Sequence, residues 1–491
     1  MAEQINNPQN NSAESGLLFP YENAKNRLND YDYFESLFEG KHYEAFRIRI
    51  DSGAYNEAYN KLRYVKANFA GLLSKVVADM LFSEPVQIRV PGGDQEFVDA
   101  LVQENHLNIQ FYESALSNSY LGDALFKIRT GKRRPGALTE KPTVIIEDTT
   151  PNIYFPKVNG FNVRQKPDVE ELAWTFEKGD KKYLRKEIHK PGIIENKVYE
   201  MEENKIVAEV GLDILGIPNL LPTVEVGIED PLLFHVANWK TGRRYFGISD
   251  YYDLDTLFYA INNRMTKIDN ILDKHSDPIL AVPYGVLNKD GKVKREKMQM
   301  FEMPDGDTTK PEYIVWNASL ENAFKEIEQI IEVFFMVSET SPDILGMGKG
   351  QSDSGRALKY KLLRTIAKVA RKKLYYDATI KDLIYTAQKL AKYWGLEVGG
   401  KTLKGEPVRP EIIWSDGLPI DEGEQVDTEV KRIDAGLSTK KDSIMRIDKV
   451  DEDAAEEKAK EIDEETKIEL PKMDLNANPF SKPKVPVKEG Q

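Results

Sequence analysis

The sequence predicts an α+β protein, mainly helical, laid out as an elongated subunit with several lobes. Three observations carry that expectation. Apolar residues recur at helical spacing over long segments, above all 56–83 and 356–394. Between them, from about Ala124 to Val236, short alternating runs are punctuated by Gly, Pro and Asn, the pattern of strands and turns. Two helical patterns of roughly 20 residues then flank a loop-rich insertion, which suggests a stalk with a small module at its tip.

In chain order, Tyr59, Leu62, Val65, Phe69, Leu72, Leu73, Val76, Val77, Met80 and Leu81 place one long amphipathic helix over 56–83, stopped by Pro85. Residues 86–90 alternate as a strand, Pro91-Gly92-Gly93 turns the chain, and a second helix runs from about Gln95 to Tyr120. Strands follow at 124–129, 143–146, 183–189, 197–201 and 205–210. After Gly247, Ser249 or Asp250 serves as the cap of a helix to about Leu272. The insertion 276–317 holds strand patterns at 279–282 and 313–316, which predicts a small α/β module rather than a loop. A helix over 320–337 completes the stalk. A helix of about 40 residues, 356–394, ends at Gly395, a strand covers 409–414, and one or two helices cover 421–450. Residues 451–469 form an acidic helix or a disordered segment, and the Pro-containing 471–491 is expected to be disordered.

The 491 residues exceed one compact core and suggest roughly two to four lobes. With 41% hydrophobic and 30% charged residues the chain falls in the globular range. No run approaches the roughly 18 apolar residues of a membrane span, and the Asn- and Ser-rich start lacks the pattern of a secretory signal, so the expectation is a soluble protein made in the cytoplasm without a membrane partner. The absence of cysteine excludes disulfides, thiolate zinc sites and cysteine nucleophiles. The five histidines, His42, His106, His189, His235 and His275, are too scattered for a local metal motif. A net charge of −13 argues against coating nucleic acid with the whole surface, so any DNA contact is local.

Three features invite a chemical reading. The run 346–355 has four glycines, which let backbone amides approach phosphate, but Arg356 and Ala357 follow where a P-loop needs its Lys and Ser or Thr. The alternative is a mobile loop between helices. The segment 356–394 carries eleven basic residues against Asp377 and Asp382, which suits either DNA phosphates or a solvated or interfacial face. Residues 421–470 run the other way, with 18 acidic and 9 basic residues. No pair of carboxylates stands out as a catalytic dyad, and Gly247-Ile248-Ser249-Asp250 is not a nucleophile elbow. Neither an enzyme activity nor a cofactor is expected.

The order of elements, with three segments, resembles the portal proteins of tailed double-stranded DNA bacteriophages, in particular the long-tailed branch infecting Gram-positive bacteria. The segments are Asn68-Phe69 through Ser83-Glu84-Pro85-Val86; Phe246-Gly247-Ile248-Ser249-Asp250 with the helix through Asn262-Asn263; and Ser354-Gly355-Arg356-Ala357-Leu358. Together with the order of elements they cover about residues 50 to 450.

The resemblance implies a ring of about twelve subunits at one capsid vertex. After a flexible N-terminal arm over 1–23, it implies a wing (24–246), stem helices (247–275 and 320–345) and a clip between them (276–319). A tunnel loop (346–355), a long wing helix and strand (356–413) and a crown (414–470) would follow, before a disordered tail (471–491). Within the loop, Gly346, Met347, Gly348, Lys349, Gly350, Gln351, Ser352 and Asp353 would face double-stranded DNA. Implied partners are other copies of the chain, terminase, major capsid and scaffolding proteins, and head-tail adaptor proteins, in the virion. Another structural virion protein, or a phosphate-handling enzyme using Lys349, are the alternatives.

Overall fold

In the computed structural model of the chain, the described residues are 14–51, 64–134, 136–217, 220–275, 279–282, 300–302, 312–314, 320–347, 355–415, 422–448, 450 and 452–468. They divide into two units, Met1–Gly417 and Leu418–Gln491. The class is α+β, as the sequence implies, with five sheets among the described residues set among helices.

The first unit opens with α1 (Lys25–Phe38), α2 (His42–Asp51) and α3 (Phe69–Phe82). The long helix expected over 56–83 starts thirteen residues late, at Phe69. Asn68 is the reason: its side-chain oxygen accepts from Gly71 N at 2.9 Å and caps α3. Residues 64–68 are non-helical, and residues 52–63 lie outside the described ones. The second expected helix is likewise two. Strand β1 (Gln87–Arg89) is followed by α4 (Gln95–Glu104) and α5 (Leu107–Leu121), separated where His106 takes φ 50°. Asn105 causes the stop, because its amide turns back to Leu101 O (2.9 Å) and its oxygen accepts from Ile146 N (3.0 Å) in the neighbouring strand.

Next come β2 (Asp123–Gly131), β3 (Thr143–Thr149), β4 (Tyr154–Pro156), β5 (Glu170–Lys178), β6 (Lys181–Lys190), β7 (Ile193–Glu202), β8 (Lys205–Val210), β9 (Thr223–Glu225) and β10 (Leu233–Ala237). One antiparallel sheet has the order β10-β2-β3 and lies against α5; the larger one has the order β4-β5-β6-β7-β8, with β9 pairing β7. Four of these strands, β4, β5, β9 and β10, are absent from the sequence reading. The Glu- and Lys-rich ends of β5 disguise a strand whose Leu172 and Ala173 face core. The expected free arm over 1–23 is corrected for residues 14–23. Gly16 N and Phe19 N bond Ile206 O and Asn204 O at 2.8 and 2.9 Å, and Phe19 packs among Leu184, Tyr199 and Met201. Residues 1–13 lie outside the described ones.

Glu170 sits opposite His189 on β6 and is buried, accepting from Tyr154 OH. Desolvation pushes its carboxyl up to about 7. A carboxyl raised on folding binds its proton more tightly in the folded state, so its contribution to stability is whole below the ordinary glutamate range and is lost as pH rises through 7. Glu170→Gln removes that loss. The unfolding free energy of the variant from urea titration is expected to fall less between pH 5 and pH 8 than that of the parent, by on the order of 3 kcal/mol at most. Equal falls would show that Glu170 does not titrate in this window.

The chain then forms α6 (Asp255–His275), strands β11 (Ile279–Val282), β12 (Met300–Glu302) and β13 (Glu312–Ile314), and α7 (Leu320–Val337). Helices are therefore present on both sides of the insertion, and the three strands pair in the order β12-β11-β13. The residues between these strands lie outside the described ones. Helices α6 and α7 pack through Phe258 and Phe334, ring centroids 5.7 Å apart, and an Arg264–Glu326 ion pair at 2.8 Å.

Past a 3-10 turn, Pro342–Leu345, come α8 (Gly355–Lys361), α9 (Leu363–Trp394), β14 (Glu397–Val398), β15 (Lys401–Thr402) and β16 (Glu411–Ile413), the last paired with β1. The 40-residue helix is thus interrupted at one residue, the buried Leu362 (φ −89°, ψ 1°), whose N–H still bonds Leu358 O at 3.0 Å.

The second unit contains α10 (Glu422–Asp434), α11 (Lys440–Asp448) and α12 (Glu452–Ile468). Of the acidic 451–469 segment, Glu452–Ile468 is a helix. Helix α11 is started by Thr439 and Asp442, which exchange side-chain to backbone bonds at 3.1 and 3.2 Å. Glu429 holds α10 to α11 through Arg446 (2.8 Å) and Ser443 (2.8 Å). The tail 471–491 lies outside the described residues. Among the described residues no helix is long and apolar enough to cross a membrane.

Candidate functional site

The segment leading into α6, the exit of α7 and the long basic helix α9 meet in one buried junction. Its first wall is the crossing of Gly122, which ends α5 at φ 93°, and Gly247. Asn238 N donates to Gly122 O at 2.8 Å, and Gly247 N donates to Asp123 Oδ1 at 2.7 Å. Asp123 also pairs with His235 (2.6 Å) and accepts from Tyr31 OH (2.5 Å), so its full burial leaves neither oxygen unpartnered.

Ser249 and Asp250 do not cap α6, which begins at Asp255. Ser249 Oγ instead donates to Tyr120 O at 2.6 Å and accepts from Tyr251 N at 3.0 Å. Asp250 is a buried anion. Its oxygens accept from Ser119 Oγ (2.8 Å) and Asn238 Nδ2 (3.1 Å) and pair with Lys372 (2.9 Å) and Lys368 (3.3 Å) of α9. Burial alone would raise the carboxyl, but the two lysines outweigh it and hold it well below the usual range. Burial pulls Lys372 below its ordinary value, and the charge of Lys368 acts in the same direction.

The same half of α9 grips the exit of α7. Lys368 Nζ donates to Ser338 O (3.0 Å), Thr365 Oγ1 accepts from Ser341 N (2.8 Å), and Arg364 and Arg371 both pair with Glu339, which sits at φ 56°. Asp343 in the following turn pairs with Lys361 at 3.5 Å. The entry of α6 is tied down separately. Ala67 N donates to Asn262 Oδ1 (2.6 Å), Val65 N to Thr266 Oγ1 (3.0 Å), and Asn262 Nδ2 to His42 Nδ1 (3.0 Å).

The glycine-rich loop leaves this junction at Gly346 (φ 69°) and Met347, which is exposed. Gly348, Lys349, Gly350, Gln351, Ser352 and Asp353 lie outside the described residues. The tunnel-loop reading of these residues is therefore carried forward as a proposal, and the described flanks are the Pro342–Leu345 turn and α8.

Sequence reasoning missed the role of the basic helix. Lys368 and Lys372 are buried with Asp250; Lys389 pairs with Asp230 (2.9 Å), Lys381 with Asp377 (2.7 Å) and Lys392 with Glu406 (2.5 Å). The charge run is mostly an intramolecular clamp. The signal was partly available, since positions 365, 368, 369, 372 and 376 repeat at helical spacing and place two lysines on a face that is otherwise core. Among the described residues no group of three or more His, Cys, Asp or Glu is placed to hold a metal.

A family model described as "Phage portal protein, SPP1 Gp6-like" matches residues 168–471. No curated protein matches the chain. Solved structures resembling it include "Virion of native gene transfer agent (GTA) particle", at 11% identity and TM-score 0.39, and "Neck of native GTA particle computed with C12 symmetry", at 10% and 0.42. In each case 77% of this chain and 89% of the other are covered.

Proposed function

The chain belongs to the SPP1 Gp6-like family of phage portal proteins, and from that premise we propose that its copies close into a ring of about twelve at one capsid vertex. Double-stranded DNA passes through this ring during packaging and ejection. The observation that carries the reading is the family match over 168–471, which includes both stalk helices, the loop and α9. The small sheet of β11, β12 and β13, set between the stalk helices, is the docking tip for terminase and later for head-tail adaptor proteins. ATP hydrolysis belongs to the terminase, and the ring itself hydrolyses nothing. Capsid and scaffolding proteins are its remaining partners in the virion.

The junction supports a channel role for the loop from Gly346 to Asp353. A loop that touches a moving duplex must be adaptable while its ends stay fixed, and here the ends leave a clamp of buried ion pairs and helix-end hydrogen bonds. The acidic chain suits a weakly adhesive wall, because tightly held phosphates would stall translocation.

Purified protein is expected to give closed rings with a central pore by negative-stain microscopy and a mass of several subunits by light scattering. A folded, strictly monomeric chain across solution conditions would refute the reading. Rings of Lys349→Ala are expected to assemble normally but to package DNA at an altered rate, and parental packaging would remove the loop's lysine from the mechanism.

A further inference from the structure

Helix α9 carries an apolar stripe that nothing among the described residues covers. Leu363, Ala367, Ala370, Leu374 and Ala378 are all exposed, and their spacing of 4, 3, 4 and 4 puts them on one face. Leu363 is 59% and Leu374 74% exposed, whereas the opposite face of the same helix holds Thr365, Lys368, Val369, Lys372 and Tyr376 in the core. The stripe runs for roughly 22 Å at 1.5 Å per residue. Three alanines interleaved with two leucines suit the close approach of another helix.

The charges beside the stripe are unbalanced. Arg364 and Arg371 share the single carboxylate of Glu339, two positive charges against one negative, which leaves one in excess. Helix α7 has the converse surface. Its exposed side presents Met336 (75% exposed), Val333 and Val337, edged by Glu321, Glu328 and Glu332 with Lys325 the only cation among them, three negative charges against one positive. Its other side is spent on α6 through the buried Phe334. Both surfaces are exposed within one chain, so they do not cover each other there.

We propose that the α9 stripe packs on the exposed α7 face of a second copy of this chain, with the apolar residues apposed and the arginines of one copy beside the glutamates of the other. The inference rests on the ring reading and names the surfaces that would close the ring. Each copy has one of each surface, so the contact is head-to-tail, the kind that generates rings. It would bring the clamp of one subunit against the stalk of the next.

The chain has no cysteine, so introduced thiols report without background. Chains bearing Leu374→Cys with one affinity tag and chains bearing Met336→Cys with another would be co-assembled and treated with a short bismaleimide. Ring formation would be checked first by light scattering and microscopy. The expected result is a covalent dimer carrying both tags, absent when either cysteine is omitted. A second pair, Ala370→Cys with Val333→Cys, guards against one unfavourable geometry. Rings that form but give no mixed-tag dimer with either pair overturn this interface and leave the ring reading standing. Parental protein that forms no ring overturns the ring reading, and this interface with it. As an independent readout, Leu374→Glu is expected to lower the ring fraction at least tenfold while leaving the circular dichroism spectrum unchanged; an undiminished ring fraction also counts against the interface.

Discussion

Replacing Asp250 with Ala is expected to destabilise the first unit by about 3–5 kcal/mol, because it leaves two lysines in the core without their anion. The magnitude follows from an asymmetry. Two cations share one carboxylate here, so removing the carboxylate strands both, whereas Lys372→Met removes one cation and leaves a balanced Lys368–Asp250 pair. The methionine variant is therefore expected to cost far less, on the order of 1 kcal/mol, since it keeps the volume and sheds a buried charge. Urea denaturation of the two variants beside the parent measures the difference. Equal losses, or an Asp250→Ala cost below about 1 kcal/mol, would mean that water or backbone dipoles compensate the lysines and that the junction is not an electrostatic clamp.

That clamp also explains why the site was only half legible in the sequence. Local rules worked where the cause was local. Strand β8 was expected over 205–210 and is found there, α7 begins and ends as its apolar spacing implies, and β11 covers the expected 279–282. They failed where a distant partner decides. Nothing near Asn68 says that the N–H groups of 65 and 67 will find acceptors on α6, roughly two hundred residues away, yet those bonds keep 64–68 out of the helix. Ser249 and Asp250 have the composition of a helix start, but tertiary partners took both side chains before they could act as caps.

The basic helix is the largest gap of this kind. Eleven positive charges suggested DNA phosphates or a solvated or interfacial face, because sequence alone hides the acids within the chain that meet many of them. Asp230, Asp250, Glu339 and Glu406 come from four separate segments. Lysines also bury their long stems readily, so charge on a helix is a poor guide to which face is outside. Of the segments that carry the resemblance to portal proteins, Gly247 to Asp250 is one half of a buried contact whose other half, Lys368 and Lys372, lies on α9, beyond the Ser354–Leu358 segment.

Gly247→Ala is the second substitution with a large expected effect, and its cause is steric. A Cβ at residue 247 would lie 2.0 Å from Gly122 O and 2.8 Å from Asn238 N, both backbone atoms. These two atoms are hydrogen-bonded to each other, so neither can withdraw without breaking the link between α5 and the segment that leads into α6. Relief requires moving Gly247 itself, and its N–H is held by the buried Asp123. Gly122 offers no slack on its side, since its φ of 93° belongs to glycine and its own Cβ position would meet Ser249 N at 2.6 Å. The variant is expected to lose more than about 3 kcal/mol or to accumulate as insoluble protein. Gly160→Ala is the matching control, because nothing lies within 4 Å of its Cβ position, and it is expected to stay within about 0.5 kcal/mol of the parent. If thermal denaturation placed both variants together near the parent, the backbone crossing would be soft, and the stalk helices would not be rigidly fixed to the sheet of β10, β2 and β3.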